Sequence, residues 1–584
     1  MVIKLFLLCY TVYASNVQQP LFQASSSVRE EFYGVKFLQQ GTHCTQISPV
    51  EQVQRNNNVD KYQPVIALKS PAIRDHQVLG SSATLLSIIG LDQTLVKNEI
   101  ANHCETIDRY IEYDLDALEN EIEIEIIKSG DPKNRIDAVF MGDGYTKDER
   151  EKFISDIKRL VDDMWAGNTF ESVLPLYNIW AVFVPSKEHG IGVGGKPKDT
   201  AFGLYRDGTE LRGIYCSKQR RARQVCKATG KYACDYPTLI GNDPYYGGLG
   251  GEFVISTSSE TSGTIVLRHE IGHSMIDVGE EYDGGQVYSG CNAAHSLSNI
   301  PWQEWLTEPH NIREETSAIR VQDYAWYDLA NGDYEIKFYS GGKFDTWKME
   351  ISSSGVEVPD SLEVYFDGVR LPWETTGNLD RAFSAWEGKN LAKGQHTLTF
   401  KQGFPPSNSD SPIRQLCSVR LHEFAKEPEF HKSKSFIGAY PTWDINGRVS
   451  YRPTNDACLM RDMSRDTFCD VCVEGLWVNL LRQLSLIDNV IQSCENSIKI
   501  QVATLPLAHF RSSIKSFNES LSINWFDRDH QPLTQYKDQF TVEIPGEFYS
   551  DEWTVEVKFW SSQIRGSYKY LTSTKSFQIC SATQ

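Results

Sequence analysis

From residue 264 to residue 282 the chain reads Thr264-Ile265-Val266-Leu267-Arg268-His269-Glu270-Ile271-Gly272-His273-Ser274-Met275-Ile276-Asp277-Val278-Gly279-Glu280-Glu281-Tyr282. His269 and His273 stand one helical turn apart, so on a helix they share a face and can offer two imidazole nitrogens to one tetrahedral zinc ion. Glu270 beside them completes an H-E-x-x-H pattern, in which the carboxylate is the general base. Thr261 and Ser262 precede the run as N-cap residues, and Val266, Leu267, Ile271 and Val278 give it a buried side, which predicts a helix. Gly279 is expected to break that helix and fold the chain back toward the metal. Glu280 and Glu281 stand just past the break.

The rest of the chain sets the compartment. At 584 residues, 40% hydrophobic and 11% aromatic, it is too long for one core and is globular, with several domains. Residues 1–14 carry Lys4, an apolar run and the small residue Ala14, the pattern of a signal peptide, so a secreted, extracellular protein with no membrane span is expected. Its removal takes Cys9 and leaves an even number of cysteines, which in an oxidising compartment reads as disulfides. A formal charge of −19 argues against nucleic acid and anionic membranes as partners. Asn518-Glu519-Ser520 is a glycosylation sequon, and the protein is expected to be a monomer.

Working outward, residues 15–115 read as a β-rich domain in which Cys44 and Cys104 pair; a pro-segment whose cysteine caps the metal is the sharper alternative. A core domain follows over 116–317. Ile122, Ile124 and Ile126 alternate as a strand, 137–141 is a more buried strand, and Thr146 with Glu149 forms a capping box. Phe153, Ile157, Leu160, Val161 and Met164 then make one helical stripe, and 179–184 is a further strand. This order predicts a mixed sheet covered by helices. Between Cys216 and Cys234, the basic residues Lys218, Arg220, Arg221 and Arg223 read as a solvated loop pinned by a disulfide. Gly247, Gly248, Gly250 and Gly251 precede an exposed strand, 253–257, suited to pairing with an extended peptide.

Residues 318–425 read as an inserted β-sandwich whose Trp347, Trp373 and Trp386 fill its core, with glycan contact through the sandwich as the alternative. The core resumes over 426–494, where Cys469 and Cys472 precede a helix with Leu476, Leu480, Leu484 and Ile487 on its apolar face. Disulfides are preferred there over a second zinc site built with Cys458 and Cys494. Residues 495–584 alternate as an immunoglobulin-like β domain.

Three separated stretches then agree with one family. Met141-Gly142-Asp143-Gly144-Tyr145-Thr146, the helix His269-Glu270-Ile271-Gly272-His273-Ser274 with Glu281-Tyr282, and Cys458-Leu459-Met460-Arg461 with Phe468-Cys469-Asp470-Val471-Cys472 resemble the immunoglobulin-A peptidase family of secreted zinc metallopeptidases. The likeness covers roughly 130–310 and 430–490. That family is similar to the metzincins, which implies an α/β metzincin-like core with a methionine turn beneath the metal at Met460. Two departures stand out. The metzincin glycine and third-ligand positions hold Ile276 and Gly279 here, so the resemblance implies Glu280 as third ligand, with Glu281 and Asp277 as alternatives. The inserted sandwich is the second.

The expected activity is hydrolysis of peptide bonds in extracellular proteins. His269, His273 and Glu280 hold Zn2+, which lowers the pKa of a water from 15.7 to about 7, while Glu270 takes its proton and passes it to the leaving amine. Tyr451 or Tyr282 is expected to stabilise the oxyanion or touch substrate. The competing reading is a secreted glycan- or protein-binding adhesion protein whose zinc core is inactive or acts on another bond.

Overall fold

The computed structural model describes residues 123–580, apart from 168, 231, 286–287, 405–411, 495–496, 513–516 and 545–550; before residue 123 it describes only the backbone of six strands. Residues 1–14, read above as a signal peptide, and Cys104 lie outside the described residues. The chain divides into two units, 1–114 and 115–584. In the first, the six strands form one sheet running from Phe32–Gln40 to Thr106–Asp108. The second is multidomain and strand-rich, with four α-helices among the described residues.

At its centre is a five-stranded mixed sheet. Its strands are β1 (Glu123–Ile127), β2 (Ile136–Asp143), β3 (Tyr177–Phe183), β4 (Tyr236–Gly241) and β5 (Val254–Thr257), in the spatial order β5-β4-β2-β3-β1. Only β1 runs antiparallel to its neighbour. β2 is buried along its whole length because both faces are covered. Ile136, Ala138 and Phe140 point into the larger core, against α1 (Arg150–Met164) and α3 (Gly263–Met275). Val139 and Met141 point the other way, against α2 (Gln219–Ala228). The capping box at Thr146 forms as read, with the Thr146 amide donating to Glu149 Oε2 at 2.9 Å. All five residues of the α1 stripe are buried.

Several expectations are corrected. The basic segment after Cys216 is the helix α2, not a loop, and the disulfide there joins Cys226 to Cys234 while Cys216 is unbonded. The disulfide ties the last turn of α2 to the chain that follows it, and Arg223 on the same helix closes on Glu252. β5 is an edge strand but is buried, because Leu249 pairs with Ile255 along its outer side. The last helix, α4 (Asp470–Leu481), ends before Leu484, and Ile487 opens a strand instead.

Residues 317–424 form two packed antiparallel sheets around Met349, Ile351, Val364, Leu398 and Phe400. Trp347 is in that core, and Trp373 and Trp386 pack against it. Asp380 projects from this module to the loop ahead of α3 and accepts hydrogen bonds from Ser259 Oγ and Thr261 Oγ1 at 2.7 Å and Ser262 Oγ at 2.6 Å. The hydroxyls expected to cap α3 are thus taken by a carboxylate from far along the chain. After α4, two three-stranded sheets enclose Ile523, Trp525, Trp553 and Val555, and Cys494 bonds to Cys580 across the module. Among the described residues no helix is long and apolar enough to cross a membrane.

Candidate metal centre

α3 is buried on nearly every side, so its histidines are presented by a rod that cannot shift without disturbing the core. The rings of His269 and His273 lie 5.0 Å apart at 85°. The helix ends after Met275, and the reversal falls at Asp277, which adopts φ 63, rather than at Gly279. An aspartate tolerates this left-handed conformation better than most side chains. Its neighbour Val278 then turns its carbonyl toward His273, whose Nδ1–H donates to it at 2.9 Å. A carbonyl only accepts, so Nδ1 carries a proton and Nε2 is the nitrogen left to face Glu280 and a metal.

The reversed chain brings Glu280 onto the histidines. Its Oε2 is 3.4 Å from His269 Nε2 and its Oε1 is 3.2 Å from His273 Nε2. Nitrogen and oxygen ligands about 2.0–2.2 Å from a tetrahedral ion stand roughly 3.3–3.5 Å from each other, which these separations match. Glu280 Oε2 and His269 Nδ1 are buried atoms without a hydrogen-bond partner in the protein, and an unpaired buried carboxylate oxygen is suited to ligate a cation. The donor set is therefore suited to zinc. Burial opposes charge on all three groups, but their mutual attraction prevails: Glu280 is held down at about 2 and His273 is raised to about 9. Asp277 and Glu281, the other ligand options, are not in this trio.

Glu270 sits beside the three and outside the ligand set. Burial raises its carboxyl above the ordinary value, and the two imidazoles reduce that shift without cancelling it. The glycine segment lies directly over it: a Cβ on Gly250 would come within 2.9 Å of Glu270 Oε2, and one on Gly248 within 3.4 Å of its Cγ. Of the two tyrosines expected here, Tyr282 is at the site, with its hydroxyl pushed well up by burial and by the Glu280 carboxylate. Tyr451 is turned away and donates to Glu314 Oε2 at 3.0 Å. Met460 is fully buried beneath α3, its sulfur 3.6 Å from where a Gly272 side chain would begin.

Several residues escaped the sequence reading. Asn292 braces the bend, accepting from the Gly279 amide at 2.9 Å and donating to its carbonyl at 3.0 Å and to Glu281 Oε1 at 2.9 Å. Asp283, fully buried, accepts from Arg461 Nη1 at 2.6 Å and bonds His422 Nε2 at 3.0 Å, while Arg461 also donates to the Glu281 carbonyl at 2.9 Å. The Glu281 amide donates to the Met460 carbonyl at 3.1 Å. Tyr246 sits close enough to feel the charges of Glu270 and Glu280, with Arg381 from the sandwich 4.8 Å over its ring. Only the bare asparagine or aspartate is visible in sequence; the partners are not.

Residues 124–331 match the model of a family described as IgA Peptidase M64. No curated protein matches the chain in sequence. Among solved structures it is similar to a calcium-binding mutant of Bacteroides uniformis beta-glucuronidase 2, at 10% identity and a TM-score of 0.12, over 42% of this chain and 26% of that one. It is also similar to the CBM51-2 and INT domains of Clostridium perfringens ZmpB in complex with GlcNAc, at 8% identity and a TM-score of 0.10, over 46% of this chain and 80% of that one. Neither likeness extends to an overall fold. The two histidines, Glu270 and Glu280 all fall within the stretch that matches the IgA peptidase M64 model.

Proposed function

We propose that this protein is a secreted, zinc-dependent endopeptidase with a metzincin-like centre, acting on extracellular proteins. The observation that carries the reading is the convergence of His269, His273 and Glu280 with Glu270 alongside and outside the ligand set. The two imidazole Nε2 atoms and the Glu280 carboxylate would hold the ion. Bound there, zinc supplies a Lewis acid that polarises a carbonyl and brings the pKa of a water to about 7. Glu270 is the base that takes a proton from the attacking water and returns it to the leaving amine. The tautomer set by the Val278 carbonyl keeps His273 Nε2 free for its role. Tyr282, whose hydroxyl burial and the Glu280 carboxylate keep protonated at neutral pH, is the donor we assign to a developing oxyanion.

Gly248 and Gly250 let the main chain lie close over Glu270, where a side chain at either position would collide with the carboxylate or with Val266. Glycan contact through the sandwich finds no support in the three tryptophans, which pack in or on its core. Digesting a peptide library with the full chain and identifying products by mass spectrometry tests the reading. Cleavage should be lost on chelation and restored by zinc. Cleavage that survives chelation would overturn the metal dependence, and glycan or protein binding without any peptide cleavage would favour the competing reading.

A further inference from the structure

Behind the metal centre lies a second convergence of ligand-type side chains. Cys458, Cys469 and Cys472 are unbonded and buried, and their sulfurs meet with a carboxylate oxygen of Glu281, all four atoms within 4.8 Å of one another. Cys472 Sγ is 3.8 Å from Cys458 Sγ and 3.6 Å from Cys469 Sγ. A disulfide needs about 2.05 Å between sulfurs. Thiolates bound at about 2.3 Å to a tetrahedral zinc stand roughly 3.8 Å apart. The observed spacing is that of ligands around an ion. Cys494, the fourth cysteine expected in any such site, is bonded to Cys580 instead, and Glu281 stands in the open position.

Glu281 supplies the independent observation. It is 1% exposed, Asn292 satisfies Oε1, and Oε2 has no hydrogen-bond partner in the protein. A buried carboxylate with an unpaired oxygen among three thiols is costly unless a cation is there to meet it. Arg452 and Arg461 bring positive charge to the same carboxyl, which offsets part of the negative charge such a ligand set gathers. Cys469 is the N-cap of α4, where the helix dipole favours a thiolate.

We infer that Cys458, Cys469, Cys472 and Glu281 form a structural zinc site. It joins three pieces of chain: Glu281 follows Glu280, Cys458 stands two residues before Met460, and Cys469 and Cys472 open α4. An ion at this place clamps the loop bearing Glu280 to the methionine turn from behind. Three soft sulfurs with one oxygen at tetrahedral spacing suit zinc better than calcium or magnesium, which take oxygen ligands in larger numbers.

The test uses the full chain purified without chelator or reductant, and it separates this site from the one in front. Elemental analysis should give about two zinc ions per chain, falling to about one in a His269→Ala/His273→Ala variant and to about one in a Cys469→Ser/Cys472→Ser variant. Cobalt-exchanged protein should show thiolate-to-cobalt charge-transfer absorption in the wild type and in the histidine variant. That readout needs no cysteine substitution, so it stands even where the cysteine variant fails to fold. Alkylation after unfolding in chelator without reductant should label all three cysteines. A disulfide joining any of the three to one another or to Cys291, which lies beside Cys472, would overturn the site, as would the absence of thiolate absorption.

Discussion

Glu270→Gln is expected to lower kcat by about 100- to 10,000-fold while leaving metal content unchanged. The amide occupies the same volume and keeps the packing under Gly248 and Gly250. It cannot accept a proton, and general-base assistance is the contribution it removes. Because Glu270 is not among the three groups whose ligand atoms converge, zinc measured on the variant should match the wild type. Peptide hydrolysis within a few-fold of the wild-type rate would remove this carboxylate from the reaction.

Asp283→Ala is expected to destabilise the protein by about 3–5 kcal/mol, the cost of leaving a buried charge without its partner. Arg461, its partner, has a side chain only 5% exposed, and Asp283 also holds the Trp443 amide at 2.9 Å. Loss of this carboxylate frees the methionine turn from the loop carrying Glu280, so a lower urea midpoint should come with weaker zinc retention. The same group gives the protein an acid limit. Burial alone would raise the Asp283 carboxyl, but Arg461 and then His422 hold it far below its ordinary value. A depressed carboxyl stabilises fully above its unfolded pKa of about 3.9 and loses that contribution as the pH falls toward the folded value. The wild type should therefore lose stability below about pH 4, and Asp283→Ala should lack that component. A midpoint unmoved by the substitution would show that the pair contributes nothing.

What was legible in the sequence is what repeats over a short span. The capping box at Thr146, the stripe down α1 and the histidine spacing on α3 all depend on residues a few positions apart, and each stands in the structure as read. The bend after α3 was misplaced because glycine is the commonest residue there, yet Asp277 takes the left-handed conformation and Gly279 is held by Asn292 instead. The edge strand was read as exposed because nothing in its own composition announces Leu249 pairing along it. Cys458, Cys469 and Cys472 were assigned to disulfides from compartment alone, a statement about chemistry outside the protein that says nothing of where the fold places three sulfurs. The ties that fix the centre, Asp283 to Arg461 and Asp380 to the hydroxyls before α3, cross 178 and about 120 residues, where spacing carries no signal.

Asp380 has one further consequence. Three hydroxyls just ahead of the histidine-bearing helix, and the Tyr246 amide in the loop before β5, are satisfied by a carboxylate that belongs to the inserted module. The insert is therefore no passenger that evolution or an engineer can trim away without compensation. Excising it strands three donors at the root of the rod that presents both imidazoles and a fourth in the loop before β5, so a shortened version needs a substitute acceptor at that spot before it can be loaded with metal.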